Sequence, residues 1–213
     1  MTQDELLQLI DKAAAEGWTE LDLAGKGLTE LPPEIGKLIQ LKSLILGKWD
    51  KVKSEWISNQ LTDLPEAITE LQSLQELNLS ANRISAIPDN LSQLQSLQEL
   101  NLSHNKISVL PDSLSQLQSL QELNLYNNKI SVIPASLTQL ESLRSLHLGL
   151  NQISFIPDFL EQLSNLQLLT LHSNQIFAIS NSFSQLKRLQ LLVLHSNQIQ
   201  IIPDSLIQLE NLT

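Results

Sequence analysis

Cysteine is absent from this chain of 213 residues. That absence excludes disulfide caps, a cysteine-based zinc site and a thiol nucleophile together. Basic residues are scarce as well, with 13 Lys and Arg against 23 Asp and Glu and a formal net charge of −10. Because an acidic chain repels phosphate groups, nucleic acid and anionic membrane surfaces are disfavoured as partners.

Targeting and membrane-spanning segments are also missing from the sequence. The chain opens with Met-Thr-Gln-Asp-Glu, which is acidic and lacks the basic and apolar stretches of a signal peptide. No run of about 18 apolar residues is present to span a bilayer. We therefore expect a cytoplasmic protein without a membrane partner.

What the chain does have is a repeat with a period of 23 residues. Each copy opens with the pattern LxxLxLxxN, for example LQELNLSAN and LQLLVLHSN. The leucines that open the copies are Leu74, Leu97, Leu120, Leu143, Leu166, Leu189 and Leu212. Self-similarity at a fixed period indicates stacked units that bury one continuous core.

The pattern within one unit predicts the fold class. The segment L-x-L is typical of a short strand whose leucines point inward and whose intervening residues point outward. A recurrent proline is expected to open a short helical turn, because its fixed φ suits the first helical position. We therefore predict an α/β fold, a right-handed horseshoe solenoid with a parallel concave sheet and short convex helical turns. In repeat seven Ser180 and Phe183 replace the proline and a leucine, so its convex side is expected to repack.

An asparagine ends the strand motif of each regular copy. Its side-chain amide can satisfy buried backbone groups of neighbouring coils, which gives it a structural role and no binding role. The predicted structural ladder consists of Asn82, Asn105, Asn128, Asn151, Asn174 and Asn197.

The two ends of the array differ. Residues 1–17 are predicted to form an N-terminal capping helix, because Thr2 and Glu5 have capping-box spacing and Gly17 can end the helix. Residues 18–213 are predicted to form eight repeats, of which the second has an insertion within 47–58. The array stops one residue into a ninth repeat, so we expect a fragment of a longer protein whose open end favours end-to-end association.

The pattern LxxLxLxxNxIxxIPxxLxxL resembles the intracellular leucine-rich repeats that accompany small GTPases and cell-polarity scaffolds. The opening ELLQLIDKAAAEGWTELDLAGKGLTELPPEIGKL, together with LILGKWD and its insertion, resembles the N-terminal region of bacterial Roco proteins. That resemblance implies partner capture or intramolecular control of a Ras-like GTPase domain. No P-loop GxxxxGK[ST] is present, so any GTP chemistry would lie beyond Thr213.

The residues predicted to point outward from the strands form a candidate partner-binding face. Its acidic and amide part, in repeats three to five, is Glu76, Asn78, Glu99, Asn101, Glu122 and Asn124. The glutamates predict a basic protein partner, and repeat duplication with added solubility is the alternative explanation.

The remaining candidates on this face are histidines, a tyrosine and apolar residues. The polar members are His104, Tyr126, His147, Thr170, His172 and His195, and the apolar members are Leu150, Leu168, Leu191 and Val193. The histidine pair of repeats seven and eight could give a pH-sensitive contact, with plain polar contacts or a zinc site as alternatives. The apolar residues predict a contact with a partner or with another domain of the same chain.

The insertion carries Trp49 and Trp56 beside three lysines. They are either a secondary contact or a cover for the edge of repeat two. No Asp-His-Ser arrangement, oxyanion-hole turn or facing carboxylate pair is suggested, so we expect no enzyme and no cofactor. The predicted function is protein–protein interaction through the concave face. A ligand or metal sensor that uses the histidines and a free-standing structural scaffold are the alternatives.

Overall fold

The computed structural model describes residues 1–212 of the chain. Helix α1 covers Gln3–Glu16 and confirms the predicted N-terminal helix. The Glu5 N–H donates to Thr2 Oγ1 at 3.2 Å and the Thr2 N–H donates to Glu5 Oε2 at 2.7 Å, which is a complete capping box. Gly17 ends the helix in the left-handed region, at φ 65°. The buried residues Leu6, Ile10 and Ala13 join the core of the array.

Nine short strands form one sheet within the described residues. Their bounds are β1 Glu20–Asp22, β2 Ser43–Asp50, β3 Glu55–Ile57, β4 Glu76–Leu79, β5 Glu99–Asn101, β6 Glu122–Asn124, β7 Ser145–His147, β8 Leu168–Thr170 and β9 Leu191–Val193. Every strand except β3 lies parallel to its neighbours, in chain order. In the regular repeats each strand residue pairs with its equivalent one repeat later, as Glu76 does with Glu99. The predicted parallel sheet is confirmed.

One 3₁₀ helix per repeat lies on the opposite side of the coil from the strands. In residues 1–212 the eight helices cover Pro33–Lys37, Glu66–Glu70, Asp89–Gln93, Asp112–Gln116, Ala135–Gln139, Asp158–Gln162, Asn181–Gln185 and Asp204–Gln208. The prediction that the recurrent proline is the first helical residue is wrong for the regular repeats. Pro88 has extended backbone, at φ −70° and ψ 139°. Its carbonyl accepts the first helical hydrogen bond, from the Leu91 N–H at 3.0 Å.

Repeat seven keeps the same convex geometry despite its substitutions. Ser180 has φ −74° and ψ 151°, close to the values of the prolines, and its side chain accepts the Ser182 N–H at 3.2 Å. Phe183 is fully buried in the place of a leucine. The backbone of the convex side is therefore unchanged, because a serine cap substitutes for proline, and the packing change in this repeat is a phenylalanine ring in the place of a leucine side chain.

Asparagine side chains connect the coils through buried hydrogen bonds. Asn128 Oδ1 accepts the Ile107 N–H at 3.0 Å, and its Nδ2 donates to the carbonyls of Leu102 and Leu125 at 3.0 Å each. Equivalent bonds recur at the other regular copies. Asn59 makes them in repeat two, where it bonds Leu28, Leu23 and Leu46. The sequence analysis missed Asn59 because the insertion displaces it from the regular period.

The insertion of repeat two is a β-hairpin. Strand β2 continues past the sheet and β3 returns antiparallel to it, with Trp49 opposite Trp56. The turn passes through Ser54, which has a φ of 54°. Near the base of the hairpin, Ile57 lies close to Gly25 of repeat one.

None of the helices in residues 1–212 combines the length and apolar character that crossing a membrane requires.

Candidate partner-binding face

The concave face consists of the side chains that point outward from the parallel sheet. Glu76, Glu99 and Glu122 are direct register partners on β4, β5 and β6, and we call them the glutamate column. Burial raises the pKa of Glu99, and the charges of Glu122 and Glu76 raise it further. Glu76 Oε2 also accepts the Ser43 hydroxyl at 2.7 Å. The column therefore holds like charges in a row that a positive partner would stabilise.

The asparagine column lies two residues further along the same strands. It consists of Asn78, Asn101 and Asn124. The Oδ1 of Asn124 accepts the Tyr126 N–H at 3.1 Å, and the other two make the same bond to Ser80 and Ser103. The side-chain carbonyls are thus used within their own repeats. The side-chain NH₂ groups are the ones that a partner could use.

A row of aromatic rings crosses the repeats on the same face. This ring row consists of Trp49, Trp56, His104, Tyr126, His172 and His195. Successive ring centroids lie 5.2, 4.3, 5.3, 5.6 and 4.8 Å apart. The hairpin supplies the first two rings and brings Trp56 onto His104, so it extends beyond the edge of repeat two.

Gly149 explains how the ring row crosses repeat six. Tyr126 and His172 are two repeats apart, yet their ring centroids are 5.6 Å apart. Gly149 holds the equivalent position between them, and a Cβ there would lie 2.5 Å from His172 Cε1. Because Gly149 has no side chain, the His172 ring can occupy the space beside it. The sequence analysis put His172 beside His195 but did not find this bridge.

Three histidine rings of this face, those of His104, His147 and His172, have a lowered pKa and favour the neutral form. Burial lowers the pKa of His104. Burial also lowers the pKa of His172, and the neighbouring His195 lowers it further. The pKa of His147 is lowered by burial and then by His172, although Glu122 Oε1 lies 3.9 Å from its Nε2. Within residues 1–212, His, Asp and Glu side chains form no group of three or more that could hold a metal ion.

The apolar candidates do not form one patch. Leu168 pairs with Leu191 at the start of β8 and β9, and Leu191 is 40% exposed. Leu150 is 38% exposed but lies in the turn after β7, at φ 53°. Leu150 lies five residues further along its repeat than the position equivalent to Leu168 and Leu191, so the strand and turn separate it from that pair. Thr170 is buried at 9% exposure, and Val193 is half-buried.

Comparison with known proteins assigns the family. A family model of a leucine-rich repeat region matches residues 56–167. The chain belongs to the leucine-rich repeat proteins. A leucine-rich repeat protein of Leptospira interrogans has a solved structure similar to this chain, with 38% identity and a TM-score of 0.87. That match covers 100% of this chain and 50% of the Leptospira chain.

Two solved plant receptors are also similar to this leucine-rich repeat chain. The peptide hormone receptor RGFR1, in complex with RGF2, is 32% identical over 86% of this chain and 29% of its own, with a TM-score of 0.73. The ectodomain of the Arabidopsis thaliana receptor kinase GASSHO1/SCHENGEN3, in complex with CASPARIAN STRIP INTEGRITY FACTOR 2, is 29% identical over 86% of this chain and 25% of its own, with a TM-score of 0.69. No curated protein matches the chain.

The leucine-rich repeat array also carries an exposed apolar stripe that the sequence analysis missed. It occupies the position before the Ile-Pro or Leu-Pro step in repeats four, five, six and eight, at Val109, Val132, Phe155 and Ile201. These side chains are 70%, 68%, 54% and 77% exposed. The signal was present in the sequence as an apolar residue at a non-core position of the period.

Proposed function

We propose that this leucine-rich repeat chain is a non-catalytic module that binds a protein or peptide along its concave face. The observation that carries the proposal is the set of exposed charged, amide and aromatic side chains on this face, where the ring row lies beside the glutamate and asparagine columns. Stacked coils hold these groups in place, so little ordering entropy is lost on binding. Two similar solved proteins are receptors in complex with RGF2 and CASPARIAN STRIP INTEGRITY FACTOR 2, which supports a peptide or protein as the ligand class.

A peptide-display selection against the immobilised chain tests this proposal. Peptides that bind are then titrated against wild type, Glu99→Lys on the concave face and Glu70→Lys on the convex helix Glu66–Glu70. Both changes replace an exposed glutamate with lysine, so they alter net charge equally. We expect Glu99→Lys to change affinity by about tenfold or more and Glu70→Lys to leave it unchanged.

The opposite ranking of these two variants would place recognition on the convex side. A selection that yields no binder would count against peptide recognition altogether.

The wider context of the module is proposed from the sequence resemblance alone. The opening helix and the hairpin insertion resemble the N-terminal region of bacterial Roco proteins, so we propose a cytoplasmic array that regulates a Ras-like GTPase domain. Sequencing the gene downstream of Thr213 tests it. A P-loop followed by alternating strands and helices is expected, and a stop codon after further repeats would indicate a free-standing adaptor instead.

A further inference from the structure

Two rails of side chains lie on the concave face, and they run side by side in repeats four and five. The glutamate column forms one rail and the ring row forms the other. In repeat five the glutamate Glu122 and the ring of Tyr126 are four residues apart along the chain, which is at most about 13 Å at a rise of about 3.3 Å per residue. The asparagine column lies midway between the rails, at Asn124 in the same repeat.

We propose that this face binds an extended segment of a basic, aromatic-rich protein, which crosses the repeats above the asparagine column. Alternate side chains of an extended chain point to opposite sides. Basic side chains on one side meet the glutamate column, and ring-bearing side chains on the other side stack on the ring row. This assignment rests on the proposed function and names the chemistry of its partner.

Charge supports the basic half of the assignment. Glu76, Glu99 and Glu122 pair strand to strand, so each adds negative charge beside the last. In the described residues, the one basic side chain within ion-pair distance of this column is His147, 3.9 Å from Glu122, and its lowered pKa favours the neutral ring. Lysine or arginine side chains of a partner would supply the missing positive charge.

Ring geometry supports the aromatic half. His172 and His195 stack with an interplanar angle of 28°, and Trp56 lies over His104 at 4.3 Å between centroids. Trp49 is 45% exposed, which leaves ring surface open to a partner. Aromatic pairs prefer such offset or tilted contacts, and arginine guanidinium groups stack on the same faces.

The asparagine column supports an extended backbone between the rails. Because the Oδ1 atoms of Asn78, Asn101 and Asn124 accept backbone N–H groups of their own repeats, the NH₂ groups remain as donors. Peptide carbonyls accept such donors. Five ring-to-ring steps of 4.3 to 5.6 Å set the reach of the row. That reach corresponds to about eight extended residues at about 3.3 Å per residue.

Synthetic peptides of about eight residues test the proposal. The probe alternates Arg and Tyr, and the control has the same composition with all Arg before all Tyr. A third peptide alternates Glu and Tyr, and a thymidine oligonucleotide tests whether the rings bind nucleic acid bases. Fluorescence anisotropy gives each Kd at low and moderate salt. We expect the alternating Arg-Tyr peptide to bind about tenfold more tightly than the block peptide, with neither the Glu-Tyr peptide nor the oligonucleotide binding.

Three variants connect the binding to the two rails. Tyr126→Leu removes a ring and keeps an apolar side chain, and Glu99→Gln removes one charge. We expect each to weaken the alternating peptide by about fivefold to tenfold, and Glu99→Gln also to reduce the salt dependence. Phe155→Leu is the matched control on the apolar stripe and should bind as wild type does.

Equal binding of alternating and block peptides, unchanged binding by Tyr126→Leu, or tight binding of the oligonucleotide would each overturn the proposal. Its failure is distinct from failure of the proposed function. If the further proposal alone fails, display-selected peptides still bind the concave face but lack the alternation of basic and aromatic residues. If the proposed function fails, no selected peptide depends on Glu99 for binding.

Discussion

At the scale of single residues, two glycines hold the same position in repeats two and six but meet different neighbours. A Cβ on Gly47 would lie 1.8 Å from the Ser80 carbonyl oxygen. A Cβ on Gly149 would instead meet the ring atoms of His172, at 2.5 to 2.9 Å. A backbone carbonyl is held by the sheet, whereas a ring at the end of a side chain can rotate away. The same substitution should therefore have different consequences at the two sites.

Gly47→Ala is expected to destabilise the array by about 2 kcal/mol or more, because overpacking against backbone forces the coils apart. Gly149→Ala is expected to cost less than about 1 kcal/mol while displacing the His172 ring from Tyr126. Urea unfolding measures the first effect, and NMR shifts of the His172 ring report the second. Equal destabilisation by both variants would show that His172 cannot move.

The asparagine ladder gives a second prediction at this scale. Asn128→Ala leaves the Ile107 N–H and the carbonyls of Leu102 and Leu125 without this side-chain partner. We expect a loss of about 2 kcal/mol in the free energy of unfolding, because an unpaired buried group costs about 1–3 kcal/mol. Of the three groups, the Ile107 N–H is the one left unpaired, since Asn105 and Asn151 still donate to the carbonyls of Leu102 and Leu125. Lys129→Ala, at the exposed neighbouring residue, is the control and should change stability by less than about 0.5 kcal/mol. A small loss in Asn128→Ala would mean that water replaces the amide.

At the scale of elements, the β2–β3 hairpin is attached to the array by a few side-chain contacts, which are the Trp56 ring on His104, the Lys48–Asp22 ion pair and Ile57 beside Gly25. Trp56 contacts Trp49 at 5.2 Å and His104 at 4.3 Å, whereas the leucines beneath the strands are fully buried. Because each coil of a solenoid depends on its neighbours and not on a distant hairpin, the hairpin should open separately from the sheet.

Trp56→Ala is expected to remove amide-exchange protection from β3 and to leave that of β5 and β6 unchanged. The lost ring contacts are worth about 0.5–1.5 kcal/mol, which is small beside the stability of the array. Hydrogen exchange read by mass spectrometry makes the comparison. Val52→Ala, at a 95% exposed position of the hairpin turn, is the control. A parallel loss of protection in β5 would show that the hairpin stabilises the whole sheet.

The strands could be predicted from the sequence, whereas the position of the hairpin could not. The period of 23 residues predicted the parallel strands and the side on which each outward residue lies, because each stacked unit repeats one geometry. The hairpin lies outside that period, so periodicity could not place Trp56 on His104. The bridge between Tyr126 and His172 depends on the absence of a side chain at Gly149, and only three-dimensional packing shows what fills such a gap.

At the scale of the whole molecule, the half-buried histidines predict a pH dependence of stability. The folded pKa values of His104, His147 and His172 lie below the ordinary value of 6.5, and burial is the main cause for each. Between the folded and unfolded pKa values the unfolded chain binds more protons. The free energy of unfolding is therefore highest above the unfolded value and falls as pH is lowered through this window.

Thermal unfolding should thus occur at lower temperature at about pH 5.5 than at about pH 7.5. A double variant, His147→Gln with His172→Gln, should reduce that difference. Glu99 acts in the opposite sense at lower pH, because its pKa is raised in the folded chain and protonation there favours folding. A melting temperature that rises between pH 7.5 and 5.5 would contradict the burial argument.

The register of the sheet has a consequence for how such a protein can change over generations. Each regular strand residue pairs with its equivalent one repeat onward, as Leu100 does with Leu123. Recombination that duplicates or excises one whole copy therefore leaves every remaining coil with an equivalent neighbour. Folding would survive the event, but the number and spacing of the rings and glutamates along the concave face would change. A change in the number of repeats would therefore change which ligand the protein binds, without any point substitution.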